Sequence, residues 1–208
     1  MTRIKLNAVG KQYDEKWIFR GINLELTNTN HLAVTGYNGS GKSTFLQLLS
    51  AYTSPTEGNI EFSINEKLVN PNNWYEHITC GAPYIDLPED LTLRENVRFF
   101  NSFKKFQNNL SVEELSNVCQ LNESIDKQVK YFSSGMKQRL KLALAITADV
   151  PVLFLDEPTS NLDSNGVEWY CAMMDEYAKN KLAIICSNNQ LSETKSCNVF
   201  ININDYHN

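Results

Sequence analysis

The sequence has no excess of basic residues, no paired cysteines and no long apolar run. Its 208 residues include 19 Lys and Arg against 24 Asp and Glu, and the formal net charge is −5 at pH 7. A nucleic-acid-binding domain usually shows clustered Lys and Arg on a basic surface. We therefore expect no nucleic-acid partner and a soluble, acidic surface.

The five cysteines are odd in number, and no two of them form a Cys-x-x-Cys pair. This pattern indicates neither a disulfide framework nor a zinc site, and we expect reduced, cytosolic thiols. The residues are Cys80, Cys119, Cys171, Cys186 and Cys197.

The apolar segments are too short to cross a membrane. The two most apolar stretches, residues 142–148 and 150–155, are far shorter than the roughly 20 residues that a spanning helix needs. Residues 1–13 lack the apolar core of a signal peptide, so no export is expected. If the protein serves a membrane process, we expect another chain to supply the membrane part.

The N-terminal part has the patterns of strands and one helix. Alternating side chains predict strands at residues 3–9 and 22–26, in an antiparallel hairpin or meander with Tyr13 and Trp17 in the connection. Residues 31–35 predict a third strand, followed by a glycine-rich loop and a helix with apolar spacing at residues 45–49. A further alternating strand is predicted at residues 59–64.

The rest of the chain changes from a helical pattern to short buried strands. Residues 91–148 have mostly helical periodicity and indicate a helical insertion. Residues 152–155 and 181–186 are continuous apolar runs, typical of strands buried on both faces of a parallel sheet, and residues 167–179 predict a helix between them. The predicted fold class is α/β, with a mixed or parallel sheet, an N-terminal antiparallel β subdomain and a helical insertion.

A glycine-rich motif lies between the third predicted strand and the first predicted helix, and it matches the P-loop pattern G-x-x-x-x-G-K-[ST]. Glycines allow a tight turn whose N–H groups, together with the helix N-terminus, hold negative phosphates. We expect Lys42 to reach the β and γ phosphates of a bound nucleotide, and the Ser43 hydroxyl to bind Mg²⁺. The chain is thus predicted to contain a P-loop NTPase core, and the motif leaves kinases, GTPases, RecA-like motors and ABC ATPases open. The predicted nucleotide-binding residues of this motif are Gly36, Tyr37, Asn38, Gly39, Ser40, Gly41, Lys42, Ser43 and Thr44.

Two acidic residues directly follow the buried strand predicted at residues 152–155. A buried strand that delivers a carboxylate to the Mg²⁺ of a P-loop is the Walker B arrangement, and Asp156 is the candidate ligand. Glu157 is then placed to polarise the attacking water. The alternative is that both acids merely end a strand at the surface, where Asp and Glu are common.

The segment before this strand resembles the signature of the ABC ATPase family, which is usually Leu-Ser-Gly-Gly-Gln. Ser133 and Gly135 match the signature, whereas Phe132, Ser134 and Met136 depart from it. The resemblance extends to the D-loop at residues 160–163 and to the opening of the family's helical subdomain at residues 91–96. It covers residues 4–189 in the order of the family's motifs.

The resemblance implies a single ABC ATPase domain over residues 1–208. Its catalytic core would comprise about residues 1–85 and 149–208, and its helical subdomain about residues 86–148. In this family the signature faces the γ-phosphate held by the opposite subunit, which implies a head-to-tail dimer of two copies closing on two ATP molecules. The residues that would act in trans are Ser133, Ser134, Gly135 and Met136, with Asp163 in the D-loop.

The family also has an aromatic platform for adenine. The resemblance assigns this platform to Tyr13, with Trp17 as the alternative. For either side chain, plain packing at the sheet edge is the other interpretation.

Two residues of the family pattern are missing. The Q-loop Gln would fall near Ala82 or Pro83, and neither side chain supplies an amide. The switch His is replaced by Asn188, which can donate a hydrogen bond to a γ-phosphate but cannot carry a proton.

These losses leave the main predicted catalytic residues, Lys42 and Glu157, in place, so we expect slow hydrolysis. The three histidines are poorly placed in the sequence to substitute for the switch residue. They are His31, His77 and His207.

The sequence leaves three functions open. The leading one is ATP binding and hydrolysis that drives a membrane transporter through a separate transmembrane subunit, with this chain cytoplasmic and peripheral on the inner face of the cell membrane. The alternatives are a soluble ABC ATPase acting on nucleic acid or the ribosome, and a nucleotide switch with weak or no turnover. A soluble ABC ATPase generally has two cassettes or a long coiled-coil insertion, and this sequence shows neither.

A membrane partner would dock near residues 75–103. Aromatic residues of this region either contact the partner or belong to the core. They are Trp74, Tyr75, Tyr84, Phe99 and Phe100.

Overall fold

Two long antiparallel strands open the fold. The computed structural model describes residues 1–188 and 190–207. Strand β1 (Thr2–Tyr13) pairs with β2 (Lys16–Thr27) through a turn at Asp14 and Glu15, whose φ angles of 44° and 64° are typical of a two-residue hairpin loop. The prediction that Tyr13 and Trp17 lie in a longer connection is therefore wrong. The register shifts between the two strands interrupt the alternation and hide their full length in the sequence.

The strands form two sheets. A four-stranded antiparallel sheet has the order β2-β1-β4-β5, and a five-stranded parallel sheet has the order β6-β7-β8-β3-β9. The remaining strands are β3 (His31–Thr35), β4 (Glu57–Ile64), β5 (Lys67–Leu68), β6 (Ile78–Gly81), β7 (Val152–Asp156), β8 (Leu182–Ser187) and β9 (Val199–Asn202).

Helices connect these strands, and short 3₁₀ turns lie between them. Helix α5 continues directly into a π-helix at Met174–Ala178. The helices are α1 (Lys42–Leu49), α2 (Leu93–Phe103), α3 (Val112–Val118), α4 (Ser134–Thr147) and α5 (Ser164–Met173). The 3₁₀ turns are Pro71–Glu76, Gln107–Asn109, Asn122–Ser124, Val129–Tyr131 and Ile203–Tyr206.

Side chains fix the starts of the two helices that follow β6. Thr92 and Glu95 form a capping box at α2, and Ser111 and Glu114 form one at α3. In each box the hydroxyl accepts a hydrogen bond from the backbone N–H of the Glu, and the carboxylate accepts one from the N–H of the capping residue. Both helix starts therefore follow from local sequence.

The parallel sheet is packed on both faces, and alternate residues of β7 enter two different cores. Leu153 and Leu155 lie in the core shared with α2 to α5, whereas Val152 and Phe154 lie in the core shared with α1 and the antiparallel sheet. All four side chains are fully buried. Packing from both sides therefore holds β7 and the residue at its carboxyl end, Asp156.

The predicted fold class is confirmed, with an antiparallel N-terminal sheet, a parallel sheet and a mainly helical stretch from α2 to α4. Strands β5, β6 and β9 are not predicted, because two to four residues are too few to show a period of two. Among the described residues, no helix is both long and apolar enough to cross a membrane. The division into a catalytic core and a helical subdomain stays a prediction.

Lys181 places a buried ammonium group at the end of α4. The residue is 5% exposed, and its Nζ donates to the carbonyl oxygens of Ile146, at 2.7 Å, and Ala148. A cation is favourable at a helix C-terminus because the last carbonyl groups carry partial negative charge. Burial nevertheless lowers the pKa of Lys181 to about 8.

We expect the Lys181 contribution to the free energy of unfolding to rise between pH 8 and about pH 10. The folded chain loses the Lys181 proton near pH 8, while the unfolded chain keeps it to about pH 10.4. Since the unfolded state binds more protons in this interval, rising pH favours the folded state. Urea unfolding of the native chain and Lys181→Met should give a stability difference that grows with pH in favour of the native chain. A stability difference that does not change with pH would contradict the lowered pKa of Lys181 in the folded chain.

Candidate functional site

The glycine-rich loop joins β3 to α1 and has no room for larger side chains at two positions. Gly36 and Gly41 have φ angles of 150° and 103°, in the region that favours glycine. A Cβ atom at Gly36 would lie 2.5 Å from Ser40 Oγ, and one at Gly41 would lie 2.4 Å from Ile18 Cγ2. The loop is therefore wrapped tightly around the start of α1, which already begins at Lys42.

Lys42 is 5% exposed and uses all three ammonium protons. Its Nζ lies 3.0 Å from the Gly36 carbonyl oxygen, 3.1 Å from that of Tyr37 and 2.6 Å from Asn188 Oδ1. An ammonium group has three donors and no acceptor. A phosphate oxygen that binds Lys42 must therefore replace or share one of these acceptors.

Ser43 and Asp156 meet across the site. The Ser43 Oγ donates to Asp156 Oδ2 at 2.6 Å. Burial raises the pKa of Asp156, the hydrogen bond from Ser43 acts in the opposite direction, and the neighbouring charge of Glu157 raises the pKa further. Ser43 and Asp156 thus place side by side two oxygen atoms of the kind that bind metal ions, one of them in a buried carboxylate.

Asn188 connects Lys42 to Glu157, the second acidic residue after β7. Its Nδ2 donates to Glu157 Oε1 at 2.5 Å, while its Oδ1 accepts from Lys42. Glu157 has a φ angle of 45°, a strained conformation for a residue with a side chain. The Glu157 N–H donates to the Cys186 carbonyl at 2.9 Å, which helps to hold this conformation.

Lys42, Ser43 and Glu157 line an open cleft of about 340 Å³. Of the other predicted ATP-binding residues, Ser40 is buried and Tyr37 is exposed. The lining residues are Ile18, Asn38, Gly39, Gly41, Lys42, Ser43, Thr44 and Glu157. The structure thus brings the predicted P-loop residues together with Glu157, and adds Ile18 from β2.

This geometry agrees with comparisons to known proteins. A family model described as "ABC transporter" matches residues 19–160. The chain belongs to the ABC transporter family. It is accordingly an ABC-type ATPase, whose role is to bind and hydrolyse ATP and so power membrane transport.

Two curated relatives show the range of ABC proteins that the chain resembles. The lantibiotic transport ATP-binding protein SrtF of Streptococcus pyogenes is 30% identical over 203 residues, covering 95% of this chain and 85% of SrtF. The daunorubicin resistance ATP-binding protein DrrA3 of Streptomyces coeruleorubidus is 30% identical over 168 residues, covering 79% of this chain and 53% of DrrA3.

Solved structures share the fold at lower sequence identity. A structure from Pyrococcus furiosus, described as an ABC transporter ATP-binding protein, has a TM-score of 0.81 at 22% identity and covers 99% of this chain and 100% of its own. The dimeric structure of MJ0796, described as a bacterial ABC transporter cassette, has a TM-score of 0.79 at 22% identity, with coverage of 97% and 95%.

Three of the four predicted signature residues, Ser133, Gly135 and Met136, line a second cleft of about 390 Å³, called the signature cleft below. Ser133 caps α4 by accepting a hydrogen bond from the Met136 N–H at 3.2 Å. Ser134, the first residue of α4, is exposed and is not among the lining residues. The cleft is lined by Gln120, Leu121, Ser133, Gly135, Met136, Arg139, Asn161, Leu162 and Asp163.

The D-loop forms the other side of this signature cleft. A Cβ atom at Gly135 would lie 3.2 Å from the Asn161 carbonyl oxygen, so the signature and the D-loop are close. Asp163 caps α5 by accepting from the Gly166 N–H at 2.8 Å. The Asp163 carboxylate also lies 3.8 Å from the guanidinium of Arg139.

The cleft of about 340 Å³ at the P-loop is called the phosphate cleft below. Neither aromatic candidate for the adenine platform is among the residues that line it. Tyr13 is 45% exposed, and the Lys11 Nζ lies 4.8 Å from its ring centroid. Trp17 packs beside Gly10 and under the Arg20 guanidinium, 4.5 Å from the ring centroid. Trp17 is thus engaged in packing, and an adenine role for Tyr13 stays a prediction.

The Q-loop position offers backbone contacts in place of an amide side chain. Ala82 is buried, and its carbonyl oxygen accepts from Lys141 Nζ at 3.1 Å. The Pro83 carbonyl oxygen lies 3.4 Å from the same Nζ. The segment after β6 is therefore tied to α4, the helix that begins with the signature.

One histidine lies closer to the P-loop than its position in the sequence predicts. His207 Nε2 lies 2.9 Å from the Ser40 carbonyl oxygen, and its Nδ1 lies 3.4 Å from the Tyr37 hydroxyl. His31 is at the start of β3, where burial lowers its pKa, and His77 packs against Phe62. His207 thus contacts the P-loop and not the switch position, and the expectation that the three histidines are poorly placed to substitute for the switch residue stays a prediction.

Two further contacts hold the turn after β7, residues 157–159, which is called the acidic turn below. No local sequence pattern predicts these contacts. Gln138 of α4 donates to the Pro158 carbonyl oxygen at 2.8 Å, and the buried Glu193 accepts two hydrogen bonds from Thr159. These partners are 20 and 34 residues apart in the chain, and no local pattern connects them.

We expect Gly41→Ala to weaken ATP binding by about tenfold or more, since it combines a strained φ angle with a clash against Ile18. Titration with a fluorescent ATP analogue measures the effect. Gly21→Ala is the matched control, because Gly21 has a φ angle of 74° with no atom near its missing Cβ and lies outside the cleft. It should keep native affinity. Native affinity in Gly41→Ala would show that the loop does not need this geometry.

Proposed function

We propose that the chain hydrolyses ATP with Mg²⁺ at two composite sites of a head-to-tail homodimer and drives a separate transmembrane subunit. The observation that carries the proposal is a connected set of side-chain hydrogen bonds beside one cleft. Asn188 joins Lys42 to Glu157 at 2.6 and 2.5 Å, and Ser43 binds Asp156 at 2.6 Å.

Lys42 and Glu157 have different roles in this proposal. Lys42 exchanges one of its acceptors for a phosphate oxygen, and its charge offsets the negative charge of the transferred phosphoryl group in the transition state. Glu157 orients the attacking water and accepts its proton. Asn188 holds Oε1 of Glu157, and we assign the other carboxylate oxygen to the water.

Ser43 and Asp156 suit a magnesium ion. Mg²⁺ in nucleotide sites is usually bound by one or two protein oxygens, with phosphate oxygens and waters completing the shell. Burial disfavours the charged form of Asp156, and a neighbouring divalent cation favours that form. Ser43 and Asp156 would hold the ion, and Mg²⁺ would neutralise part of the negative charge of the phosphates.

The dimer is supported by the separation of the two clefts. The phosphate cleft and the signature cleft have no lining residue in common. Ser133 and Gly135 therefore do not line the phosphate cleft of their own chain. A head-to-tail arrangement with two-fold symmetry brings the signature cleft of each chain to the P-loop of the other. Loss of the γ-phosphate then opens the dimer.

We assign the docking site for the transmembrane subunit to an exposed aromatic surface of this chain. The chain would then lie on the inner, cytoplasmic side of the membrane. Tyr75, Tyr84 and Phe99 are exposed, as is Phe103, whose ring lies 5.1 Å from that of Phe99. Large exposed apolar side chains that lie together, as Phe99 and Phe103 do, are typical of interaction sites. The names of the relatives SrtF and DrrA3, a transport and a resistance protein, support a membrane partner.

Two of the aromatic residues suggested for this surface pack within the fold. Trp74 is buried and donates to the Val69 carbonyl oxygen at 2.9 Å. Phe100 is half-buried and stacks on Phe106 at 5.6 Å.

A nucleotide switch without turnover is the second candidate. It is favoured by Asn188, an amide in the place of an imidazole, and by the lack of an amide side chain at Ala82 and Pro83. In this alternative, ATP closes the dimer and Glu157 has no catalytic role.

We expect Glu157→Gln to lower steady-state ATP hydrolysis by at least about 100-fold, because the amide cannot accept a proton from water. ATP affinity should stay close to native. Native activity should rise more than linearly with protein concentration, since each site needs two chains. Glu168→Ala, which removes an exposed carboxylate on α5, is the control and should keep native turnover. Tight ATP binding by a native chain without turnover would favour the nucleotide switch.

A further inference from the structure

We propose that Glu193 is a positioning residue that couples Asn188, the amide next to the bound phosphate, to the D-loop of the same chain. The inference rests on the proposed function for the roles of Asn188 and of the D-loop, residues 160–163. It adds a connection within one chain between its phosphate cleft and its signature cleft.

Glu193 is a buried carboxylate bonded to the start of the D-loop. The residue is 2% exposed, and its Oε1 accepts from the Thr159 N–H at 2.9 Å. The Thr159 hydroxyl lies 2.7 Å from both Glu193 Oε1 and Gln190 Oε1, which share its one proton. The Glu193 backbone carbonyl accepts from the Tyr170 hydroxyl at 3.1 Å. Among the described residues, the buried Oε2 has no hydrogen-bond partner, so the side chain of Glu193 is held through Oε1 at Thr159.

The segment that carries Asn188 thus holds the acidic turn at both ends. Asn188 bonds to Glu157 at the start of the turn, and Glu193 bonds to Thr159 at its end. Gln190 links Ser187, the residue before Asn188, to Glu193, because its N–H donates to the Ser187 hydroxyl at 3.1 Å and its carbonyl accepts from the Glu193 N–H at 3.1 Å. A movement of Asn188 that shifts Ser187 is therefore transmitted through Gln190 to Glu193.

Phosphate binding supplies that movement. All three protons of Lys42 are used, and Asn188 Oδ1 is the acceptor among them that belongs to a side chain. A γ-phosphate oxygen that takes this proton displaces Asn188 from Lys42. The displacement changes the distance between Asn188 and Glu157 and shifts the segment that ends at Glu193.

Thr159 passes the shift to the signature cleft. The Thr159 carbonyl accepts from the Leu162 N–H at 3.1 Å, and Leu162 lines that cleft together with Asn161 and Asp163. Hydrogen bonds, joined by the backbone between Ser187 and Asn188, thus run from Lys42 to the surface assigned to the partner's nucleotide. Each chain reports the phosphate state of its own P-loop to the site that it completes in the other chain.

Hydrogen exchange of the D-loop tests the coupling without requiring turnover. In full-length Glu157→Gln, saturating Mg²⁺ and ATP should slow exchange of peptides covering residues 160–163 by about fivefold or more. Adding Glu193→Ala should leave ATP affinity close to that of the parent and reduce the slowing to less than about twofold. Adding Glu193→Gln should preserve the slowing, since the amide oxygen still accepts from Thr159.

The outcomes separate coupling from a merely structural role. If Glu193→Ala speeds exchange equally with and without ATP and keeps the full ATP-dependent slowing, Glu193 only stabilises the fold and the inference is wrong. If ATP leaves the hydrogen exchange of the D-loop unchanged in the Glu157→Gln parent, the inference is wrong as well. Glu168→Ala, at an exposed glutamate, should behave as the parent does. Failure of the proposed function is seen separately, as lack of turnover by the native chain.

Discussion

The position of one ammonium group decides the geometry of the site. Lys42 holds two carbonyl groups of the P-loop and the amide of Asn188 at once, and Asn188 in turn holds Glu157. Its three protons allow no further acceptor. In the proposed function, a phosphate oxygen of ATP competes for a proton that already has a partner. In the proposed coupling, this competition turns phosphate binding into movement.

The order of strands in the parallel sheet brings these residues together. Strands β7, β8 and β3 are neighbours, so their carboxyl ends place Asp156, Asn188 and the P-loop side by side. Ligands of open parallel sheets usually bind at this edge. The two cores on either face of β7 keep the edge rigid. Burial of Asp156 follows from the same packing and favours a cation beside its carboxylate.

The parts predicted from sequence are those in which a local pattern has a local cause. The spacing of Gly36 and Lys42, and the apolar run before Asp156, predict where phosphate and Mg²⁺ bind because adjacent residues build each motif. Glu193 and His207 could not be predicted, since their partners are 34 and 167 residues away and no periodicity connects them. The long hairpin of β1 and β2 was similarly hidden, because bulges break its alternation.

The central claim is that each site is shared by two chains, and mixing two inactive variants tests it most directly. Lys42→Met removes the phosphate-binding ammonium, and Gly135→Arg fills the signature cleft. Each variant alone should be inactive. An equimolar mixture should recover up to about a quarter of native ATP hydrolysis, because half of the dimers are mixed and each of these has one complete site. Turnover by Gly135→Arg alone, or no recovery on mixing, would contradict the shared site.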